Sequence, residues 1–351
     1  MNFRNRTLDV CLIGCAVAIM AMHTGLFMDN ITPLYIITTK GLFRTAFPFL
    51  FLTAGYLGYR YINKPVSSSA SMASNPVIRH QTETQIPVMP WLLKQLAAYV
   101  IIVAIEGAVY YKAYHAEYTG ILQYAHHMLM TGINYTNWYL GAIVILTIAF
   151  LPLWKRDIIM PGLIAGAVLY LGSVILHGYA VPTGAIDIRF IYAKIFVMHE
   201  TAMAPLFLSI GAYIAKTKFS PNQFALPIGV AMLVIESVVQ SLVNPMVNPV
   251  YFSSIILAPS LLCFCIQNPN ILNIKESDNL KNWIVTALVI HPYFMSMAEM
   301  ITQSSILKFV LTVVFTLPVS GFVASRINII INARKGRYAH EHVSYRQDTD
   351  E

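Results

Sequence analysis

Ionisable side chains are rare inside apolar sequence, and this chain places several there. The first apolar run opens with Arg6 and Asp9 and carries His23 near its far end. Glu106, Glu200 and Glu236 lie within later runs, as does His291. A charge within a membrane segment is unfavourable by several kcal/mol, so such residues usually serve a site or are paired. A histidine beside carboxylates in low dielectric suits acid–base chemistry: the imidazole takes a proton from a hydroxyl, and a carboxylate orients the ring and stabilises its cation. His23 is therefore the first candidate for such chemistry, with Glu106 or Glu200 as the carboxylate near it. Arg44, at the head of the second run, could hold an anionic or hydroxyl-rich group. Each residue also has a plainer reading. Membrane histidines often pack as hydrogen-bonded residues, and His291 is read that way. The glutamates could be structural partners, and Trp138-Tyr139 an interfacial aromatic belt. His126 and His127 are adjacent and diverge on a helix, so no metal site is expected. Cys11, Cys15, Cys263 and Cys265 all lie in apolar runs and read as small apolar residues.

These side chains need a scaffold that holds them in a membrane. The chain is 57% hydrophobic and only 11% charged over 351 residues. Soluble domains carry roughly 25% charged residues, so the composition is that of a polytopic membrane protein. Apolar runs fall at 7–27, 41–62, 91–113, 137–153, 159–177, 195–215, 222–241, 248–267, 282–302 and 306–327. Each approaches the roughly 20 residues that cross a bilayer as a helix. Ten spans put both termini on one side. With that side cytoplasmic, 17 of the 23 lysines and arginines fall in inner turns and 6 in outer ones, the bias that orients membrane proteins. The net charge of +7 therefore reflects topology rather than a nucleic-acid partner; membrane lipid is the expected surroundings.

The expected fold is an all-α polytopic bundle of about ten transmembrane helices. Residues 1–330 form the membrane domain, with a polar cytoplasmic loop at 63–90. Residues 331–351 form a charged cytoplasmic tail, expected to be mobile from 334. Residues 114–136 are read as an interfacial segment on the outer surface. The first run lacks a small-residue cleavage site, so no cleaved signal peptide is expected. At 1.5 Å per residue, His23 lies about 24 Å from the inner end of its span and Glu106 about 21 Å from its own. Glu236 and Glu200 fall at similar heights, which makes a layer in the outer half. His291 falls nearer mid-membrane.

The ordered motifs resemble a family. Arg6-x-x-Asp9 followed by an apolar helix to His23 is similar to the start of the acyltransferase-3 family of integral membrane acyltransferases. Arg44-Thr-Ala-Phe-Pro48-Phe-Leu-Phe51-Leu-Thr-Ala-Gly55-Tyr56 resembles the family's arginine, proline-aromatic and small-Gly-aromatic pattern. Asn137-Trp138-Tyr139-Leu140, Gly211-Ala-Tyr213 and Val289-Ile290-His291-Pro292-Tyr293 resemble its later signatures. Two positions depart from it. Leu12 stands where many members carry a basic residue, eleven positions before the histidine, and Thr53-Ala54-Gly55 lacks the usual serine.

The resemblance implies a bacterial inner-membrane enzyme that moves an acetyl group from cytoplasmic acetyl-CoA to a sugar hydroxyl. The acceptor would be a surface glycan such as lipopolysaccharide O-antigen. The donor's phosphates would stay at the basic inner face, near Arg60, Lys64 and Lys94. Its pantetheine arm would thread between helices to His23, where the acceptor arrives from outside. Trp138 and Tyr139 suit a sugar face, and Arg44 the outer mouth. No metal is expected. The competing class is a proton-coupled transporter, which would also bury histidine and glutamate. Paired inverted halves with matching broken helices, common in transporters, are not evident in the sequence.

Overall fold

The computed structural model describes residues 5–29, 33–63, 100, 104, 120, 138–175, 202–222, 224–243, 250–271 and 280–347. Among them the regular structure is helical, with no strand. Helix α1 spans Arg6–His23 and α2 spans Ala46–Ile62. The approach to α2 is irregular: a helical turn Pro33–Tyr35, a π-helical segment Ile36–Gly41 and a 3-10 turn Leu42–Thr45. Then come α3 (Trp138–Lys155), α4 (Met160–Ser173), α5 (Ala204–Thr217) and α6 (Ala225–Val243). The last three are α7 (Ser254–Gln267), α8 (Leu280–Ile301) and α9 (Ser305–Gln347). Helix α9 runs on through most of the stretch expected to be a mobile tail.

Five of these helices are long and apolar enough to cross a membrane: α1, α3, α6, the part of α8 from Trp283 to Ile301, and the part of α9 from Ser305 to Arg326. Helices α4 and α7 are apolar but shorter. Large apolar side chains such as Ile164, Val168, Ile235, Leu242 and Phe322 stand exposed. On a water-soluble protein so much apolar surface would aggregate; facing lipid it is at rest.

The buried core gathers α1, α2 and α5 around Phe49, Phe51, Ile19, Met20 and Phe207. Helices α2 and α5 cross at their glycines. A Cβ on Gly55 would sit 2.0 Å from the Leu208 carbonyl oxygen, and one on Gly211 would sit 2.0 Å from that of Leu52. Only glycine permits that approach, the small-residue contact by which membrane helices associate.

One end of the bundle is tied by polar groups. At the start of α1, Asn5 donates to the Cys265 carbonyl (2.6 Å) and Thr7 to that of Asn268, near the end of α7. At the end of α2, Asn63 donates to the Trp154 carbonyl at 3.2 Å. Tyr59 donates to Asp157, which also pairs with Lys216 at 2.6 Å, joining α2, α3 and α5. Arg6, Arg60, Lys155 and Lys216 lie in the terminal turns of helices at this end, and Arg156 and Lys218 directly follow helices there.

At the other end, Asp29 accepts from the Ser305 N–H (2.8 Å) and hydroxyl (3.0 Å), fixing the turn after α1 to the first turn of α9. There too, both carboxylate oxygens of Glu236 are occupied. They accept from the N–H groups of Phe252 (2.7 Å) and Ser253 (2.9 Å) and from the Ser253 hydroxyl (2.7 Å), at the N-terminus of α7. Helix N-termini leave donors without helical partners, and a carboxylate satisfies them. Glu236, read from the sequence as part of a reactive layer, is an anchor.

Candidate functional site

Helix α1 ends at His23 for a local reason. Gly25 adopts a left-handed conformation, φ +64°, which glycine enters without the Cβ penalty. The Leu26 N–H then returns to the Ala21 carbonyl (2.9 Å) and the Gly25 N–H to that of Met22 (3.2 Å). This paired closure stops the helix and leaves His23 as its last residue. The Thr39 hydroxyl, in the π-helical segment, donates to the Leu26 carbonyl at 2.7 Å and holds the turn down. A π-helical segment often marks a functional site; here it leads through the 3-10 turn to the half-buried Arg44.

His23 is half-buried, and its Nδ1 lies 2.9 Å from Nε2 of His291 on α8. The two rings are inclined by only 8° with centroids 5.2 Å apart. That separation is the nitrogen–nitrogen distance plus one ring radius at each end. The rings therefore meet edge to edge in one plane, the geometry of an in-line hydrogen bond rather than of face stacking. Sequence reasoning placed His291 nearer mid-membrane as a packing residue. Counting residues along each span ignores helix tilt, and the two imidazoles are in contact.

His291 is itself held. Its Nδ1 lies 2.9 Å from the Leu288 carbonyl oxygen. In a regular helix that oxygen would accept from the N–H of residue 292. Residue 292 is proline and has no N–H. The carbonyl is thus released from the helix, and it accepts from His291 and from the Tyr139 hydroxyl (3.3 Å). The proline directly after the histidine creates the acceptor that orients the histidine.

An aromatic wall stands beside the pair. The Phe47 ring is 6.5 Å from that of His23. Phe47 lies 5.1 Å from Trp138 and 5.4 Å from Tyr139, and Phe51 lies 6.0 Å from Trp138, between centroids. Trp138 and Tyr139 are 1% and 0% exposed. They are packed into the core of the bundle rather than standing in an interfacial belt.

Among the other expected site residues, Arg60 is exposed at the basic end. Its guanidinium donates to the Tyr56 hydroxyl (2.9 Å) and lies 5.4 Å from that ring's centroid. Leu12, where a basic residue was expected from the resemblance, packs against the core. Glu106, Glu200, Lys64 and Lys94 lie outside the described residues. No group of three or more histidine, cysteine, aspartate or glutamate side chains suited to a metal occurs among the described residues. Comparison with family models, curated proteins and solved structures finds no match to this chain.

Proposed function

We infer that the chain is a membrane O-acyltransferase that moves an acetyl group from acetyl-CoA to a hydroxyl of a glycan. The observation that carries this reading is the state of His23: a half-buried imidazole at the end of a membrane-length helix, engaged through Nδ1 and with Nε2 left for substrate. The ordered motifs that lead to His23, through Arg44, Trp138-Tyr139 and His291-Pro292, support the same reading. So do the basic residues gathered at the opposite end of the bundle, which suit a donor held by its phosphates. Arg60, exposed there, is the proposed described contact; Lys64 and Lys94 complete the proposed donor contacts.

The chemistry then follows. Nε2 of His23 takes the proton of the acceptor hydroxyl as its oxygen attacks the thioester carbonyl. The C–S bond breaks, and the departing CoA thiolate takes the proton back from the imidazolium. His23 is regenerated, and the acetyl group rests on the sugar oxygen as an ester. Phe47 and the aromatics behind it keep water from the thioester. Ten spans, cytoplasmic termini and an inner-membrane location complete the proposal, with Glu106 or Glu200 as the carboxylate that stabilises the His23 imidazolium and Arg44 holding the acceptor.

A hydrogen-bonded imidazole pair would also serve a proton-coupled transporter. Purified protein supplied with acetyl-CoA and an acceptor glycan separates the two. An acyltransferase releases CoA, and glycan from expressing cells gains base-labile acetyl groups. A transporter does neither, and that result overturns the proposal.

A further inference from the structure

The geometry points to His291 as the positioning residue for His23, fixed in its task by the carbonyl that Pro292 releases. This inference rests on the acyl-transfer reading for its kinetic consequences, but not for its structural ones. A carbonyl oxygen can only accept, so the 2.9 Å contact to Leu288 requires a hydrogen on His291 Nδ1. In the neutral ring His291 Nε2 is then an acceptor. His23 Nδ1 must donate to it across their 2.9 Å contact, which leaves His23 Nε2 bare and basic. The backbone carbonyl oxygen facing His291, that of Leu288 at 2.9 Å with Ala287 beside it, thus sets the tautomer of two rings in series.

The chain of contacts also handles the proton. When His23 Nε2 takes a proton from the acceptor hydroxyl, the ring becomes an imidazolium whose Nδ1–H already points at a lone pair. The positive charge is shared towards His291, whose own N–H is held by the Leu288 carbonyl. No bond is made or broken on His291, and it touches no substrate. It occupies the place that a carboxylate fills in a hydrolytic triad, without bringing a full negative charge into the membrane. Tyr139 belongs to the same device, because its hydroxyl takes the second lone pair of the Leu288 oxygen.

The proline makes the inference testable apart from folding. Proline inside a helix is unfavourable, so Pro292→Ala restores a backbone hydrogen bond and should leave the melting temperature unchanged or higher. The restored N–H competes for the Leu288 oxygen and frees His291. CoA release should fall on the order of tenfold or more, as for outer ligands that orient an active imidazole, with the KM for acetyl-CoA little changed. His291→Gln keeps an acceptor near the position of Nε2 and should retain much of the rate, whereas His291→Leu should lose it. Nitrogen-15 spectra of the full chain, histidine-labelled in lipid bilayers and compared with His23→Ala for assignment, should show His23 protonated at Nδ1 and bare at Nε2.

Full turnover by both Pro292→Ala and His291→Leu overturns the inference. So does a His23 ring protonated at Nε2. If wild type releases no CoA from acetyl-CoA in the presence of acceptor glycan, the acyl-transfer reading fails, and the tautomer still decides whether His291 positions His23.

Discussion

A base on a side chain with two rotatable bonds must keep one nitrogen free while the ring is held still. His23 meets both demands by spending Nδ1 on His291 and by ending its helix at Gly25. Removing the imidazole should therefore lower acetyl transfer by about 100-fold or more, the scale of a lost general base, while His23→Ala still inserts and folds. Glycan acetylation in cells checks the first part and detergent-solubilised yield the second. In the sequence His23 draws attention because an ionisable residue deep in an apolar run stands out; its contact with His291 is what the structure adds. That partner was not legible there, since depth counted along separate spans misses tilt. The signal that could have found it is the dipeptide His291-Pro292: a proline in a helical run releases a carbonyl four residues back, one turn from the histidine. Trp138 and Tyr139 were legible as aromatics at a helix start. Their burial depends on Phe47 and Phe51 from another helix, which no local pattern shows.

The helices carry the site through a few close contacts. Gly55→Ala or Gly211→Ala would drive a methyl group into a backbone carbonyl across the α2–α5 crossing. Overpacking of this kind is destabilising by about 1–3 kcal/mol, and a lowered melting temperature would register it. Glu236→Ala should be destabilising by about 2–3 kcal/mol, because three donors at the head of α7 lose a charged acceptor, yet leave the His23 tautomer unchanged. At the other end, Lys216 and Tyr59 hold the Asp157 carboxyl below its usual range. A depressed carboxylate stabilises above its unfolded value and loses that contribution as pH falls through its folded value. Wild type should therefore exceed Asp157→Asn in melting temperature at neutral pH, with the gap closing below about pH 4; an unchanging gap would contradict the assignment. The placement of most helices was legible from apolar runs. The π-helical and 3-10 approach to α2 was not; Gly41 within it lies close against Ser237 of α6, a tertiary contact that no local pattern shows. The extension of α9 was also missed: charged residues argue for solvent exposure but do not end a helix.

At the scale of the whole molecule, chemistry and topology constrain each other. Arg6, Arg60, Lys155 and Lys216 lie at the polar-tied end of the bundle, and His23 at the far end of α1. If the basic end is cytoplasmic, a reporter fused within 63–90 reads cytoplasmic; a periplasmic reading would remove the route proposed for acetyl-CoA. The argument for that direction is the bias of basic residues, which depends on which turns carry charge and not on how helices pack. The central claim is that a thioester delivered from the basic side meets an alcohol at the bare nitrogen of His23. Its most direct test compares CoA release from acetyl-CoA and base-labile acetyl on glycan for wild type and His23→Ala, at equal levels of inserted protein. The account predicts both signals from wild type and neither from the variant; transfer at the wild-type rate by the variant would contradict it.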